Sequence, residues 1–194
     1  MADRRILIAA TTALALGLAA CGGGNAGPGT SSTAQSSTST SPATPARPKV
    51  LDLNGVRPCE LLTKEQQAPF GIDRPIQAGH SDTLNADDCN FINDKEKVGF
   101  VLTAMTKEGV ARFAPGQVTG EVRQVAVSGY FAYEVWTPSM PGNEFCTVQV
   151  DVADGQVLRS HYSESNRKQP LGRAELCKRA AQVAEAAVAT LSKK

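Results

Sequence analysis

The last part of the chain, residues 173–191, reads RAELCKRAAQVAEAAVATL and determines how the residues before it must be arranged. Its apolar residues recur every three or four positions, as in an amphipathic helix, and charged or amide side chains occupy much of the opposite side. The predicted apolar stripe comprises Cys177, Ala180, Ala181, Ala184, Ala187, Val188 and Leu191. Because most of these side chains are small, the helix can pack closely, and it needs an apolar sheet face to bury them.

Segments of alternating apolar and polar residues upstream of this helix predict that sheet. Asp154-Gly155, between the last two segments, is typical of a tight hairpin because glycine tolerates positive φ. The predicted strands are Cys89–Ile92, Val98–Met105, Val122–Val127, Tyr130–Trp136, Phe145–Val152 and Val157–Tyr162. We therefore predict an antiparallel sheet of five to six strands.

Helical signals also open this region. Pro58 suits a first helical position, where its missing N–H costs nothing. Thr63, with Gln66 three residues later, has the pattern of a capping box. Residues 50–194 are enough to bury one core. We expect a single domain of the α+β class, with N- and C-terminal helices packed on one face of the sheet.

The start of the chain has the organisation of an export signal. Two arginines precede an apolar run that is about 22 Å long at helical rise, which is too short for a hydrocarbon core of about 30 Å. Cys21 directly follows LAA at 18–20, an arrangement that resembles the lipobox of bacterial lipoproteins. It implies a cleaved signal peptide, residues 1–20, and a lipid on Cys21 that holds the protein at the outer face of the cytoplasmic membrane. The alternative is an ordinary secreted protein with a cysteine at its cleavage site.

Residues 21–49 link this predicted anchor to the domain. From Gly22 to Lys49 the chain has eleven Ser or Thr, four prolines and five glycines, and it has no carboxylate or large apolar side chain. Such a segment cannot bury enough apolar surface to offset the entropy lost on ordering. We predict a disordered tether that spans about 30 Å as a flexible coil.

Charge and cysteine content narrow the class of protein. The formal net charge is +1 and falls to zero when the predicted signal peptide is removed, which argues against a nucleic-acid partner. Four cysteines besides Cys21 in an exported domain predict two disulfides, and three pairings are possible. We favour Cys59–Cys89 with Cys146–Cys177, each closing a loop worth about 3–4 kcal/mol. The rival pairing is Cys59–Cys177 with Cys89–Cys146.

Four short motifs together resemble a known family. They are RPCELLT at 57–63, CNF at 89–91, CTVQV at 146–150 and ELC at 175–177. With the lipobox and the Ser/Thr-rich segment, they resemble cell-envelope lipoproteins of actinobacteria, of the mycobacterial and streptomycete type, that are catalogued as a domain of unknown function. The resemblance covers residues 51–191. Arg57 stands where that pattern has Asp, and Phe91 where it has Trp. It implies fold and location and leaves the ligand open.

Residue types that carry catalysis are sparse. The chain has two histidines, His80 in a polar loop and His161 at a strand end, and neither has a catalytic partner at motif spacing. We interpret both as surface or hydrogen-bonded histidines. The domain cysteines are assigned to disulfides, which leaves no thiolate nucleophile. No known catalytic motif occurs, so we assign no catalytic residue and no cofactor.

Metal-binding patterns are equally weak. Asp82, Asn85, Asp87 and Asp88 offer oxygen ligands, but not at the spacing of an EF-hand calcium loop, so we interpret them as a solvated loop. The cysteines lack the Cys-x-x-Cys pairs of a zinc site. We therefore assign no metal ligand.

Aromatic residues concentrate in the predicted strand 130–136. Positions 130 and 136 share one strand face, and positions 131 and 133 share the other. Ordinary sheet packing is the favoured interpretation. The alternative is that Tyr130, Tyr133 and Trp136 are exposed and form a contact with a ligand or a partner protein.

These features favour a non-enzymatic binding or accessory module at the cell envelope. We expect membrane attachment through lipid on Cys21, and a protein, glycan or lipid of the envelope as the ligand. One alternative is an enzyme of the envelope that uses a pair of carboxylates, as glycosidases do. Another is a carrier of lipid or another small molecule, which needs an apolar cavity.

Overall fold

Seven strands form one antiparallel sheet in the computed structural model, which describes residues 45–194. The predicted signal peptide, Cys21 and the tether up to residue 44 lie outside the described residues. The strands are β1 (Gln77–Ser81), β2 (Ala86–Asn93), β3 (Val98–Met105), β4 (Glu121–Val127), β5 (Tyr130–Thr137), β6 (Phe145–Ala153) and β7 (Gln156–Glu164). The α-helices are α1 (Lys64–Gln67) and α2 (Gly172–Leu191), and 3-10 turns span Pro58–Glu60, Ala68–Phe70 and Val110–Phe113.

The strands lie in the order β1-β2-β3-β7-β6-β5-β4. The chain therefore builds β1 to β3 as one meander and β4 to β7 as another, and the two join where β3 pairs with β7. Seven strands correct the prediction of five to six. The additional strand, β1, lies at the edge of the sheet and is almost wholly exposed. A strand that buries no side chains leaves no alternating apolar pattern in the sequence.

Helix α2 covers one face of the sheet, as predicted, and packs chiefly on β6 and β7. Its small side chains bring the helix close to the strands, and the main core lies between them. Aromatic rings fill this core towards β2, with Phe91 stacked on Phe100 at 4.6 Å and Phe100 on Tyr162 at 6.1 Å between ring centroids. The buried residues of α2 are Leu176, Cys177, Ala180, Val183, Ala184, Ala187, Val188 and Leu191.

The N-terminal region forms single turns. The capping box is present, since the Thr63 N–H donates to Gln66 Oε1 at 2.8 Å and the Gln66 N–H donates to Thr63 Oγ1 at 3.3 Å. The helix it opens, α1, has four residues and none of them is buried. An N-terminal helix packed on the sheet is therefore not confirmed. Leu61 and Leu62, which precede α1, are buried in the core.

Both favoured disulfides are confirmed. Cys59–Cys89 joins the first 3-10 turn to β2, and Cys146–Cys177 joins β6 to α2. Each bridge links an element outside the sheet to the strand beneath it, and the sequence separations are 30 and 31 residues. The second bridge ties α2 to the sheet inside the core, where both of its cysteines are buried.

Residues 45–49, which composition assigns to the tether, make specific contacts with the domain. The Arg47 guanidinium forms a fork on Asp151, with Nε–Oδ2 at 3.0 Å and Nη2–Oδ1 at 2.9 Å, and its Nη1 lies 2.7 Å from Asp154 Oδ1. Asp151 is buried and Arg47 is the cation that its carboxylate meets, so we call this contact the Arg47 clamp. Lys49 Nζ donates to the Ser192 carbonyl at 3.2 Å. Within the described residues, Arg47 already contacts the domain, before the predicted boundary at residue 50.

Candidate functional site

The face of the sheet opposite α2, here called the open face, has two halves. Over one half lies the connection between β3 and β4, residues 106–120, which buries an apolar cluster against the strands. The buried members of this cluster are Ala86, Met105, Val110, Phe113, Tyr133 and Val157. The other half carries polar side chains, and the candidate site lies there.

One row of side chains crosses the open face from β2 to β5. The register pairs Asp88 with Thr103, Thr103 with Arg159, Arg159 with Gln149 and Gln149 with Tyr133. Directly opposed residues of antiparallel strands lie on the same face, and neighbouring strands are about 4.8 Å apart. The fold therefore brings these residues together from distant parts of the chain, with Arg159 in the middle of the row.

Arg159 is a shielded cation. Its side chain is partly exposed, yet the guanidinium lies deep enough that burial lowers its pKa to about 10, against the opposing effect of Asp88. Among residues 45–194, no carboxylate lies within ion-pair distance of it. Arg47, Arg123 and Arg179, by contrast, each bond to a carboxylate. Within the described part of the chain, Arg159 thus has no direct ion-pair partner, and Asp88 acts on its charge only from across the sheet.

His161 lies two residues further along β7, on the same face. Its Nδ1 is 3.2 Å from Arg159 Nη2. Because a guanidinium only donates, Nδ1 is the acceptor and the proton of the neutral ring is on Nε2. Burial, and then the charge of Arg159, lower the pKa of His161 to about 3, so the ring is neutral at physiological pH. Phe145 stacks on it at 4.8 Å between ring centroids.

Buried acceptors flank the cation. Thr103 Oγ1 and Gln149 Oε1, on either side of Arg159 in the row, have no hydrogen-bond partner within the described residues. The Gln149 amide nitrogen donates to Thr147 Oγ1 at 2.5 Å. Buried polar groups in proteins are nearly always hydrogen-bonded. Thr103 Oγ1 and Gln149 Oε1 can therefore each still accept a hydrogen bond.

A recess of about 330 Å³ lies further along the sheet, towards the β2–β3 turn, and its lining includes Asp94 and Lys97 but neither Arg159 nor His161. Val101, which pairs with His161 across β3 and β7, is part of its lining. Asn90 and Ser163 contribute polar groups, and Ile92 contributes apolar surface. We call Arg159, His161 and this recess the Arg159 site. Its volume is near the lower end of the range for small-molecule sites.

A larger cavity, of about 670 Å³, lies between α1 and α2, but its cation is fully engaged. Arg179 Nε lies 2.7 Å from Glu175 Oε1, and Nη1 lies 3.1 Å from the Tyr162 hydroxyl and 3.2 Å from Glu96 Oε2. Burial lowers the pKa of Arg179, but these partners outweigh that effect and raise it. Within residues 45–194 Arg159, unlike Arg179, has no carboxylate partner at ion-pair distance, so the Arg159 site is the stronger candidate for a ligand that needs a cation.

The three aromatic residues predicted as an exposed contact are buried. Their exposed fractions are 3% for Tyr130, 9% for Tyr133 and 8% for Trp136. Tyr130 and Trp136 belong to the core beneath α2, and Tyr133 belongs to the cluster under residues 106–120. The exposed contact is therefore wrong, because both faces of β5 are covered, and sheet packing is the role of these residues.

Three acidic residues at 82–88 act electrostatically on one ring, His80, but within residues 45–194 they do not form a group of potential metal ligands. Asn85 takes φ 44° at the end of the β1–β2 turn that Asp82 opens. Asp87 and Asp88 are consecutive in β2, so their side chains point to opposite faces. Asp87 Oδ1 lies 2.8 Å from His80 Nδ1, and this hydrogen bond raises the pKa of the exposed His80 ring.

One group of potential metal ligands is occupied by other bonds. Glu134, Cys146 and Cys177 offer atoms within 4.8 Å of one another. Both sulfurs are used in the disulfide, and Glu134 Oε1 lies 2.6 Å from the Arg123 Nε in an ion pair. These three residues are therefore part of the core and have no free ligand pair.

The Arg159 site is not evident from the sequence. The pattern around His161 indicates a surface or hydrogen-bonded histidine, and no pattern marks Arg159. The available signal was the alternation of polar residues in two predicted neighbouring strands, at 147 and 149 in one and at 159 and 161 in the other. Only the register shows that these residues share one face.

Comparison with known proteins adds a family. A family model described as "Protein of unknown function (DUF3558)" matches residues 16–190. No curated protein and no solved structure matches the chain. Within residues 45–194, no helix combines the length and apolarity that crossing a membrane requires.

Proposed function

This chain belongs to the DUF3558 family of proteins of unknown function, and we propose that it is an extracytoplasmic lipoprotein that acts as a binding module at the cell envelope. In this proposal a lipid on Cys21 anchors the protein, the Arg159 site engages the ligand or partner, and the domain catalyses no reaction of its own.

The lack of a direct ion pair at Arg159 within the described residues carries the binding role. A cation shielded from water is costly unless it is paired, and Arg47 and Arg123 in this protein follow that rule. Arg159 has no such direct partner, and a recess of about 330 Å³ begins at Val101, the register partner of His161. A site of this kind suits a ligand that supplies the missing charge.

The same geometry supports binding in preference to catalysis. A general acid or base works best with a pKa near the operating pH, whereas the pKa of His161 is about 3. Among the described residues, the hydrogen-bond partner of its ring is Arg159, not the hydroxyl or carboxylate of a catalytic pair. The alternative of a two-carboxylate enzyme needs two acids that face one cleft, one of which stays protonated. Glu96 and Glu175 do line the larger cavity together, but both are paired with Arg179, and hydrogen bonding to Arg179 lowers the pKa of Glu175.

Several sequence features support the proposed location. The lipobox-like LAA before Cys21 supports the anchor, and two disulfides suit the oxidising space outside the cytoplasm. The resemblance to actinobacterial envelope lipoproteins points to the same location. If Cys21 is the anchor, the Arg47 clamp leaves residues 22–46 as the tether, which spans about 28 Å as a flexible coil.

Replacement of Cys21 by serine tests the anchor. The wild-type protein should fractionate with membranes, and the Cys21→Ser variant should be released or should keep its signal peptide. Ser32→Ala, within the tether, should behave like the wild type. A cleaved Cys21→Ser variant that stays with the membrane would contradict lipid anchoring.

A photo-crosslinking amino acid in place of Ser163, which lines the recess, tests the binding role. On living cells it should form a discrete adduct that mass spectrometry identifies, and the additional change Arg159→Gln should abolish this adduct. The matched control carries the same amino acid at Lys178, an exposed position on α2. The absence of an adduct at 163, or identical adducts from both positions, would contradict the proposed site.

A further inference from the structure

We propose that the ligand of the Arg159 site is a small organic anion, bound through a carboxylate or phosphate group to Arg159 with His161 as a second donor. This inference rests on the proposed binding role and names the chemical class of the ligand.

Among the described residues, Arg159 has no carboxylate at ion-pair distance. Asp88 is the acid on the same row, but it lies two strands from Arg159, about 10 Å across the sheet, and Thr103 is between them. Burial raises the pKa of Asp88, so this carboxyl holds its own charge less readily than an exposed one. Asp88 favours the charged form of Arg159 from across the sheet, but within residues 45–194 the two side chains form no direct ion pair. An anionic group on the ligand would supply a direct partner.

Arg159 and His161 both present hydrogen-bond donors. The guanidinium of Arg159 has five N–H donors in a planar fork and accepts none. Because Nδ1 of His161 accepts from Arg159, its Nε2 presents a further N–H donor. A planar cationic fork pairs best with the two oxygens of a carboxylate or phosphate group. A neutral ligand would leave Arg159 without a direct ion-pair partner.

The rest of the ligand has space in the recess. The recess that begins at Val101, next to His161 across the sheet, has a volume of about 330 Å³, which fits a small molecule or one unit of a longer chain. Ile92 and Val101 offer it apolar contact, and Asn90 and Ser163 offer hydrogen bonds to polar substituents. The ligand thus combines one anionic group with a compact body of mixed polarity.

Occupancy has a spectroscopic consequence at His161. Burial and the positive charge of Arg159 together hold its pKa low. A bound anion offsets the second of these effects, so the pKa of His161 rises and the resonances of its ring shift. His80, the other histidine of the chain, lies on the edge strand β1 and serves as an internal reference.

The test is an NMR titration of the processed full chain, oxidised and purified in detergent. Acetate, benzoate and inorganic phosphate are added separately, with chloride keeping the ionic strength constant. At least one probe should shift the ring signals of His161 saturably, and leave those of His80 unchanged, at concentrations on the order of 10 mM, where a site with Kd about 1 mM is mostly filled. A response to acetate or benzoate identifies a carboxylate ligand, and a response to phosphate identifies a phosphate ligand.

Three variants assign the response to Arg159. Arg159→Gln should weaken binding about tenfold or more, the loss expected for a charge-assisted hydrogen bond. Arg159→Lys keeps the charge without the fork and should lose less, and it replaces Arg159→Gln if that variant does not fold. Arg57→Gln removes an exposed arginine that pairs with Glu60, and it should bind like the wild type.

The outcomes separate this inference from the proposed function. If no probe shifts His161 saturably while the Ser163 adduct forms, the anion class is wrong and the binding module stands. If Arg159→Gln binds an anion as tightly as the wild type, the assignment to Arg159 is wrong. If neither the adduct nor anion binding is found, both proposals fail.

Discussion

The low pKa of His161 makes the domain sensitive to acid, and the change His161→Gln tests this directly. The pKa of the ring is about 3 in the folded protein, chiefly through burial and then through Arg159, against about 6.5 in an unfolded chain. Below pH 6.5 the His161 ring becomes protonated in the unfolded chain, whereas in the folded protein it stays neutral until the pH approaches 3. The stability that His161 contributes is therefore fully present above about pH 6.5 and is lost as the pH falls towards 3.

The size of the effect follows from these two pKa values. Proton linkage at this one site lowers the free energy of unfolding of the wild-type protein by about 2 kcal/mol between pH 7 and pH 5. The His161→Gln variant does not titrate, and its amide oxygen can still accept a hydrogen bond from Arg159. On acidification over the same interval, it should lose about 2 kcal/mol less than the wild type.

Urea denaturation at the two pH values, with both disulfides intact, measures this difference. His80→Gln is the matched control, because His80 is exposed and its hydrogen bond to Asp87 raises its pKa. A raised pKa stabilises the folded state below the unfolded value and loses that effect as the pH rises, so the sign is opposite. His80→Gln should lose at least as much stability as the wild type on acidification. A loss in His161→Gln equal to that of the wild type would refute the buried, neutral ring.

The Arg47 clamp and the second disulfide give further predictions. Arg47→Ala leaves a buried carboxylate without its cation and should lower the free energy of unfolding by about 2 kcal/mol. Lys49→Ala, which removes an exposed contact, should change it by less than about 0.5 kcal/mol; equal effects in urea denaturation would contradict the clamp. Replacement of both Cys146 and Cys177 by alanine should cost about 3–4 kcal/mol through loop entropy. Peptide mapping without reduction should recover these two cysteines in one linked pair, and a peptide that joins Cys177 to Cys59 instead would overturn the pairing.

The elements that bury a face were predictable, since burial imposes their period. Helix α2 was predicted from its alanine-rich stripe, and β3 was predicted from Val98 to Met105, its actual bounds. The hairpin at Asp154-Gly155 was found because Gly155 adopts a positive φ, 69°, which turn chemistry anticipates. Strand β1 was missed for the converse reason, because its side chains are almost all exposed and the strand is held chiefly by its pairing to β2.

The Arg159 site could not be read from the sequence because it depends on strand register. In β7, Arg159 and His161 alternate with buried residues, which is the pattern of a solvent-facing side. Register places Thr103 and Gln149 beside Arg159, and a shift of one residue in either neighbouring strand would turn those partners to the α2 face. The partial burial of the open face depends in turn on the connection 106–120, whose path no local signal in the sequence specifies. The Arg47 clamp was missed for a similar reason, since a lone arginine in a polar segment gives no sign of its distant carboxylate.

The Arg47 clamp also decides how the domain carries mechanical load. If Cys21 anchors the protein as proposed, tension on the tether reaches the described domain through Arg47 at Asp151 of β6, and the Leu51 N–H adds a backbone bond to the Val152 carbonyl of the same strand at 2.9 Å. Strand β6 lies inside the sheet, beside β7, and the recess of the Arg159 site lies towards the opposite end of β7. A pull between the anchor and a bound ligand would therefore run along the strands and load many ladder hydrogen bonds in shear at once. An attachment to the edge strand β1 would instead let the sheet peel apart one bond at a time.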